Sequence, residues 1–359
     1  MKIAVVSPDI TNLGGISRCV VVLIDALNKK GIIPDYYGIY SNTDKVYELF
    51  NRKIEYNFKR IIWGKRMRLY SSWMKNLQLL FKEYDYVFDF TNTLPLNVNK
   101  GKYLSYILYP EFLTSRGKYN KGLWKVYYKP HQILAFFRKN KFKEPDVDIV
   151  CVSKKVSDLI FKLFEERYPV LYPPANLEDF KNKISKKSGI VSVGGLTHEK
   201  NQLEQFDIAN NFPDLEFSIC GSSKRNPSYH KELKKVSQNI NNVKLCPDIS
   251  FKELKEKLSH AEVFINSGRE DPFCMAIIEG IAAGCIPLIH DSGGVVEIVP
   301  FKELRYTNLD DAVLKLKKIL KLTEIKKKEL RIKLNKHVEQ FGEKQFVKTL
   351  FNYMNKQNI

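Results

Sequence analysis

The chain has 359 residues, 44% of them hydrophobic, which suffices for two ordinary cores at about 100–200 residues per domain. Its net charge is +19, from 59 basic and 40 acidic residues, so an anionic partner is expected: nucleic acid, anionic lipid or a phosphorylated substrate. No run approaches the roughly 18 apolar residues of a membrane span, and the six cysteines form no C-x-x-C pair. They read as buried free thiols of a reducing compartment.

In chain order, MKIAVVSPDI opens with a strand over 2–7 running into a polar loop, with no secretory leader in its pattern. A Gly-containing loop leads to an apolar helix from Ile16 to Leu27, stopped by Asn28-Lys29-Lys30-Gly31. Strand, glycine loop and helix are the opening unit of a Rossmann-like domain. Further strands are expected at 86–90, 103–108 and 149–152. The segment VLYPPAN (170–176) reads as an interdomain linker. A second series follows, with strands at 189–193, 216–220, 243–245, 263–265 and 286–289 and helical stretches between them. Such alternation predicts parallel sheets covered on both faces. From about Leu309 the chain is Lys-rich and helical in pattern. The expected domains are 1–168, 169–335 and a C-terminal helix, 336–359, packing back on the first.

Charge is not spread evenly. Residues 52–82 hold nine Lys or Arg and one acid, and residues 112–143 hold nine and none. All three tryptophans lie in these stretches. Basic residues interleaved with rings suit a surface that meets anionic headgroups, with Trp63, Lys65, Arg66, Arg68 and Trp73 as the expected membrane contacts.

Each half supplies a glycine turn after its first strand. In Asn12-Leu13-Gly14-Gly15-Ile16-Ser17-Arg18 the glycines admit a close backbone approach, and the following helix start favours an anion. Alone, Gly-Gly after a strand is an ordinary turn. The second is Val193-Gly194-Gly195-Leu196-Thr197-His198-Glu199-Lys200-Asn201, which sets Lys200 at the mouth of the second domain, where it can neutralise phosphate. The strongest signal is Ser267-Gly268-Arg269-Glu270-Asp271-Pro272-Phe273-Cys274-Met275-Ala276-Ile277-Ile278-Glu279-Gly280. Pro272 suits the first turn of a helix, which would carry Asp271 at its start and Glu279 about two turns on, not far off one face. A carboxylate among Met275, Ile277, Ile278 and Ile281 needs a partner, and a ligand hydroxyl is a natural one.

On these residues the C-terminal half resembles the retaining glycosyltransferases of family 4, which have the GT-B fold. Their pattern is two acids with seven residues between them, as in E-P-F-G-x-x-x-x-E-A-x-A-x-G. Here stand Asp271-Pro272-Phe273-Cys274 and then Glu279-Gly280-Ile281-Ala282-Ala283-Gly284. Residues 193–201 resemble the V-G-R-L-x-x-E-K-N loop. Ile219-Cys220-Gly221 resembles the strand before the I-x-G turn, and Asp291-Ser292-Gly293-Gly294-Val295-Val296-Glu297-Ile298-Val299 the T-x-x-G-G-x-x-E-I-V tail. The N-terminal half matches more loosely, through Gly14-Gly15, Tyr109-Pro110 and Tyr172-Pro173-Pro174, which are similar to the mannosyltransferases that extend dolichol-linked oligosaccharides.

The resemblance implies an α/β, GT-B architecture of two Rossmann-like domains facing across a cleft, and transfer of a hexose from GDP-mannose or a UDP-sugar to a glycan, lipid-linked at a membrane. It implies a peripheral protein of the cytoplasmic membrane face and no metal or other cofactor. Lys200, Asp271 and Glu279 would be catalytic: Lys200 and the amides near Cys274 and Met275 neutralising the diphosphate, Glu279 on the ribose, Asp271 with the backbone of Phe273 and Cys274 on the sugar. Gly194, Gly195, Gly221, Glu270 and Pro272 complete the donor pocket, and Gly14, Gly15 and Arg18 the acceptor loop. Four departures stand out. The first acid is Asp271, with Glu270 beside it; Gly195 replaces the arginine of V-G-R; Cys274 replaces a glycine; and no histidine stands near Leu108 or Tyr109. Two other classes stay open: an inactive GT-B subunit of an active complex, and a basic nucleic-acid-binding protein, for which no zinc spacing or RNA-binding motif is present.

Overall fold

A computed structural model describes residues 1–12, 14–62, 71–92, 101–109, 122–137, 147–181 and 187–355. The chain divides into two compact units, Met1–Pro174 with Phe346–Ile359, and Ala175–Gln345. The change of unit falls just after Pro173 and Pro174, inside the segment 170–176.

In the first unit the described elements are β1 (Ile3–Val6), α1 (Gly15–Asn28), β2 (Asp35–Gly38), α2 (Thr43–Phe50), β3 (Asn57–Arg60), α3 (Ser71–Leu80), β4 (Tyr86–Asp89), β5 (Lys102–Ile107), α4 (Gly122–Phe137), β6 (Val147–Cys151) and α5 (Lys154–Phe164). The second contains β7 (Ile190–Val193), α6 (Gln202–Ala209), β8 (Phe217–Gly221), α7 (Pro227–Ser237), β9 (Val243–Pro247), α8 (Phe251–His260), β10 (Val263–Asn266), α9 (Met275–Ala282), β11 (Ile286–His290), β12 (Arg305–Tyr306), α10 (Leu309–Leu320) and α11 (Glu324–Val338). The closing helix α12 (Glu343–Asn355) crosses the boundary, and in the first unit the Tyr86 hydroxyl donates to Met354 O at 2.8 Å.

All described strand pairs of the two sheets are parallel. The orders are β3-β2-β1-β4-β5-β6 and β12-β11-β10-β7-β8-β9. Read from its own first strand, the second sheet repeats the first: both have the 3-2-1-4-5-6 order of the dinucleotide-binding fold. Central strands such as β1 and β10 are buried at every residue, as helices on both faces require. Local chemistry sets several ends. Ser250 and Glu253 form a reciprocal capping box on α8, and Asn226 caps α7 ahead of Pro227 at the first helical position.

Three strands lie where none was expected. β3 (NFKR) and β12 (RY) are sheet edges, exposed or too short to show an apolar run, and are held by backbone pairing to β2 and β11. β2 (DYYG) pairs with β1 and β3, its Tyr36 ring 5.9 Å from that of Phe58 across the ladder.

Candidate functional site

In an open parallel sheet the strand order reverses beside the first strand, and a crevice opens there at the carboxyl ends. In the second unit that point lies between β7 and β10. Gly194 and Gly195 leave the end of β7, and Ser267 to Cys274 leave the end of β10. Gly221, ending β8, has no alternative: a Cβ there would stand 1.8 Å from Gly194 O. The Gly194 amide donates to Cys220 O at 3.0 Å, and the Leu196 amide to Ser222 O at 3.0 Å, joining the two turns.

Past the glycines, a 3-10 turn over His198–Lys200 is closed by Asn201 in the left-handed region, φ 49°. Two clamps fix it. Gln202 Nε2 donates to Gly195 O at 2.9 Å. The buried Ser267 hydroxyl sits 2.9 and 2.8 Å from the carbonyls of Lys200 and Asn201 and accepts from Gln205 Nε2 at 2.8 Å. The Lys200 backbone is thereby held against the start of the acidic loop.

The side chains meet there. The Lys200 ammonium is ion-paired and hydrogen-bonded to the Asp271 carboxylate, with Cys274 Sγ 3.9 Å away. The Lys200 side chain is 25% exposed and that of Asp271 9%. Burial by itself would lower the pKa of Lys200, but Asp271 and Cys274 outweigh it and raise it above the ordinary lysine range. Burial pushes the Cys274 thiol up, against the pull of Lys200. Lys200 is therefore a permanent cation whose charge is already matched.

The helix start differs from the expectation. α9 begins at Met275 with Cys274 as its N-cap, so Pro272 is not in a first turn and Asp271 is not on the helix. Asp271 and Glu279 share no helical face. The cause is the loop after β11. Gly294 N donates to Asp271 O at 2.7 Å, and Glu270 N donates to Ser292 Oγ at 3.1 Å. Gly293 has φ +75°, and a Cβ on it would lie 2.5 Å from Asp271 O and 2.6 Å from Asp271 N. Glu270 itself is left-handed, φ 52°. A chain held this way cannot run straight into a helix at Pro272.

The structure thus brings together Lys200, Asp271 and Cys274, with Gly194 and Gly268 against the lysine stem. Glu270 is exposed beside them, Pro272 is half-buried, and the Phe273 ring lies 5.5 Å from that of Phe341. Glu279 is buried one turn inside α9. Gly280 beside it lets the helix approach β10, because a Cβ there would stand 2.5 Å from the Phe264 ring. Gly14, Gly15 and Arg18 belong to the other unit, where Gly14 is the N-cap of α1, Gly15 its first residue and Arg18 buried in its first turn. Trp63, Lys65, Arg66 and Arg68 lie outside the described residues, as does the side chain of Trp73 on α3. Sequence reasoning missed Ser267, Ser292 and Gly293 as positioning residues. The Ser292-Gly293-Gly294 run was visible, but its contact with Asp271 spans some twenty residues. Among the described residues no three His, Cys, Asp or Glu cluster as metal ligands would, and no helix is long and apolar enough to cross a membrane.

Comparison with known proteins gives a family match for part of the chain. Residues 175–340 match the model for glycosyl transferases group 1. A 205-residue stretch is 27% identical to the GDP-Man:Man(3)GlcNAc(2)-PP-Dol alpha-1,2-mannosyltransferase of Xenopus laevis, covering 50% of this chain and 42% of that protein. The human protein of the same name is 25% identical over 213 residues, 52% of this chain and 43% of that protein. The chain therefore spans less than half the length of these relatives. Among solved structures, the sucrose-phosphate synthase of Thermosynechococcus elongatus superposes with TM-score 0.76 at 13% identity, over 99% of this chain and 98% of that one. Anabaena HepE in complex with UDP and glucose gives 0.73 at 15%, over 99% of each. At such identities the likeness speaks for the fold, two Rossmann-like α/β units of the GT-B class.

Proposed function

We propose, from the premise that residues 175–340 are a glycosyl transferases group 1 domain, that this chain is a retaining hexosyltransferase of family 4. It moves a hexose from a nucleoside diphosphate sugar to a glycan acceptor. The observation that carries the reading is the Lys200–Asp271 pair, with Cys274 beside it, at the reversal point of the second Rossmann-like sheet. In the reaction the bond from the anomeric carbon to the diphosphate breaks, and the acceptor oxygen bonds that carbon on the same face, its proton leaving on the departing diphosphate. The protein's task is to hold the charge of the departing diphosphate, a preorganised electrostatic role. Lys200 serves it as a cation at neutral pH, since Asp271 and Cys274 raise its pKa. Asp271 orients Lys200 and accepts from sugar hydroxyls; Glu279, buried in α9, accepts from the ribose.

GDP-mannose is the preferred donor, as the relatives' names suggest, with a UDP-sugar second. The acceptor is lipid-linked and the protein peripheral, on the cytoplasmic membrane face. In support, α3 and α4 lie in the two basic stretches and leave large apolar side chains in solvent: Leu77 and then Phe81 just past α3, Leu123 at 87% exposure and Val126 at 70% on α4. Lys125 and Lys129 stand exposed among them. A thermal-shift panel of GDP-, UDP- and ADP-sugars tests the donor, since a bound ligand stabilises by mass action. NMR of the product tests the anomeric outcome. A donor that binds without transfer or hydrolysis points instead to an inactive subunit, and no shift with any nucleotide sugar refutes the donor reading.

A further inference from the structure

The charge at the proposed diphosphate site does not balance. Lys200 is already paired with Asp271. A nucleoside diphosphate brings at least two negative charges, so the site needs a second cation that is not already committed. Gly195 offers no side chain, and Arg269 is ion-paired to Glu204 at 3.2 Å.

The turn after β8, Ser222-Ser223-Lys224-Arg225-Asn226, runs alongside the Gly194-Gly195 turn and is joined to it by the Leu196 amide on Ser222 O. It is anchored from behind: Ser223 N donates to Asp248 Oδ1 at 3.2 Å, its hydroxyl bonds the same carboxylate, and Asn226 caps α7. Arg225 Cδ stands 3.6 Å from where a Cβ of residue 195 would be, so its stem lies against the Gly195 backbone in ordinary van der Waals range. Its guanidinium is close enough to Lys200 to oppose that ammonium's proton. Arg225 is exposed, and among the described residues it makes no ion pair. Two cations held side by side repel unless an anion joins them.

We propose that Arg225 is the second cation for the donor's diphosphate, reaching over Gly195 to the side of the anion opposite Lys200. The inference rests on the donor reading above. Arginine suits the task because its planar fork grips two phosphate oxygens at once. An arginine placed at 195 would start in van der Waals range of the Arg225 stem, so the two positions address the same place.

The test is calorimetric titration of GDP and UDP, each beside its monophosphate and free nucleoside, into wild type, Arg225→Gln, Arg225→Lys and the Gly195→Arg/Arg225→Gln double variant. An exposed residue at 225 leaves the unliganded melting temperature unchanged. Arg225→Gln is expected to weaken the better nucleoside diphosphate about ten- to a hundredfold, the range of a lost charged hydrogen bond, and the free nucleoside less than twofold. Lysine should recover part of the loss, and the double variant should recover more than Arg225→Gln alone. Wild-type binding of a diphosphate that Arg225→Gln matches overturns the role of Arg225 and leaves the donor reading standing. An equal loss for diphosphate and nucleoside also overturns it, as a disturbance of the pocket. No binding of either diphosphate by wild type overturns both.

Discussion

Replacing Lys200 with alanine would leave the Asp271 carboxylate, 9% exposed, without its cation. Removing one partner of a fully buried pair costs about 3–5 kcal/mol, whereas an exposed pair contributes about 0–1 kcal/mol. With Lys200 25% exposed this pair lies between, so the loss should be about 2 kcal/mol. For a unit the size of Ala175–Gln345 that lowers the melting temperature by about 4–8 °C. Calorimetry without nucleotide on wild type, Lys200→Ala, Asp271→Asn and the double variant isolates the pair. Asp271→Asn should cost less, because the partly exposed ammonium can turn to water, and adding it to Lys200→Ala should restore most of the loss by removing the stranded charge. Turnover should behave differently, falling about a hundredfold or more in Lys200→Ala and staying low in the double variant, as for loss of a preorganised transition-state donor. The reasoning is refuted by a Lys200→Ala protein that melts with wild type, or by a double variant no more stable than Lys200→Ala. A recovery of turnover with stability would show that Lys200 matters only to the fold.

Gly293→Ala places a Cβ against the Asp271 backbone at a positive φ; it should lower donor affinity at least tenfold by shifting the acidic loop, an effect of about 1.4 kcal/mol, read by titration, and unaltered affinity would remove Gly293 from the positioning residues. Glu279→Ala should keep the protein folded by circular dichroism yet cost at least about 2 kcal/mol in donor binding or transfer; near-normal turnover in a folded variant excludes the ribose assignment. At low salt the chain should sediment with anionic but not neutral vesicles, and neutralising Lys65, Arg66 and Arg68 together with Trp63→Ser should weaken this, since each basic residue at the surface contributes about 1 kcal/mol. Equal partitioning of variant and wild type would favour a soluble acceptor.

Much of the second unit was legible in the sequence because it is local. Apolar runs flanked by turn residues gave β7 to β11, and the alternation with helices gave parallel sheets. The turns at Gly194-Gly195 and Ser267–Cys274 could be placed after the right strands, since each follows its strand directly. The edge strands β3 and β12 could not be read, because an edge is made by its neighbour's backbone rather than by its own side chains. Pro272 is locally fit to open a helix, and only Gly293 and Gly294, folded back on Asp271, delay that opening to Met275. Lys200 and Asp271 were each visible, but their union across 71 residues needed Ser267 to bind the Lys200 turn to the end of β10. The same is true of Arg225, one of 59 basic residues in composition. Its setting beside Gly195 follows from β8 lying next to β7, because pairing between strands decides which turns meet at the crevice.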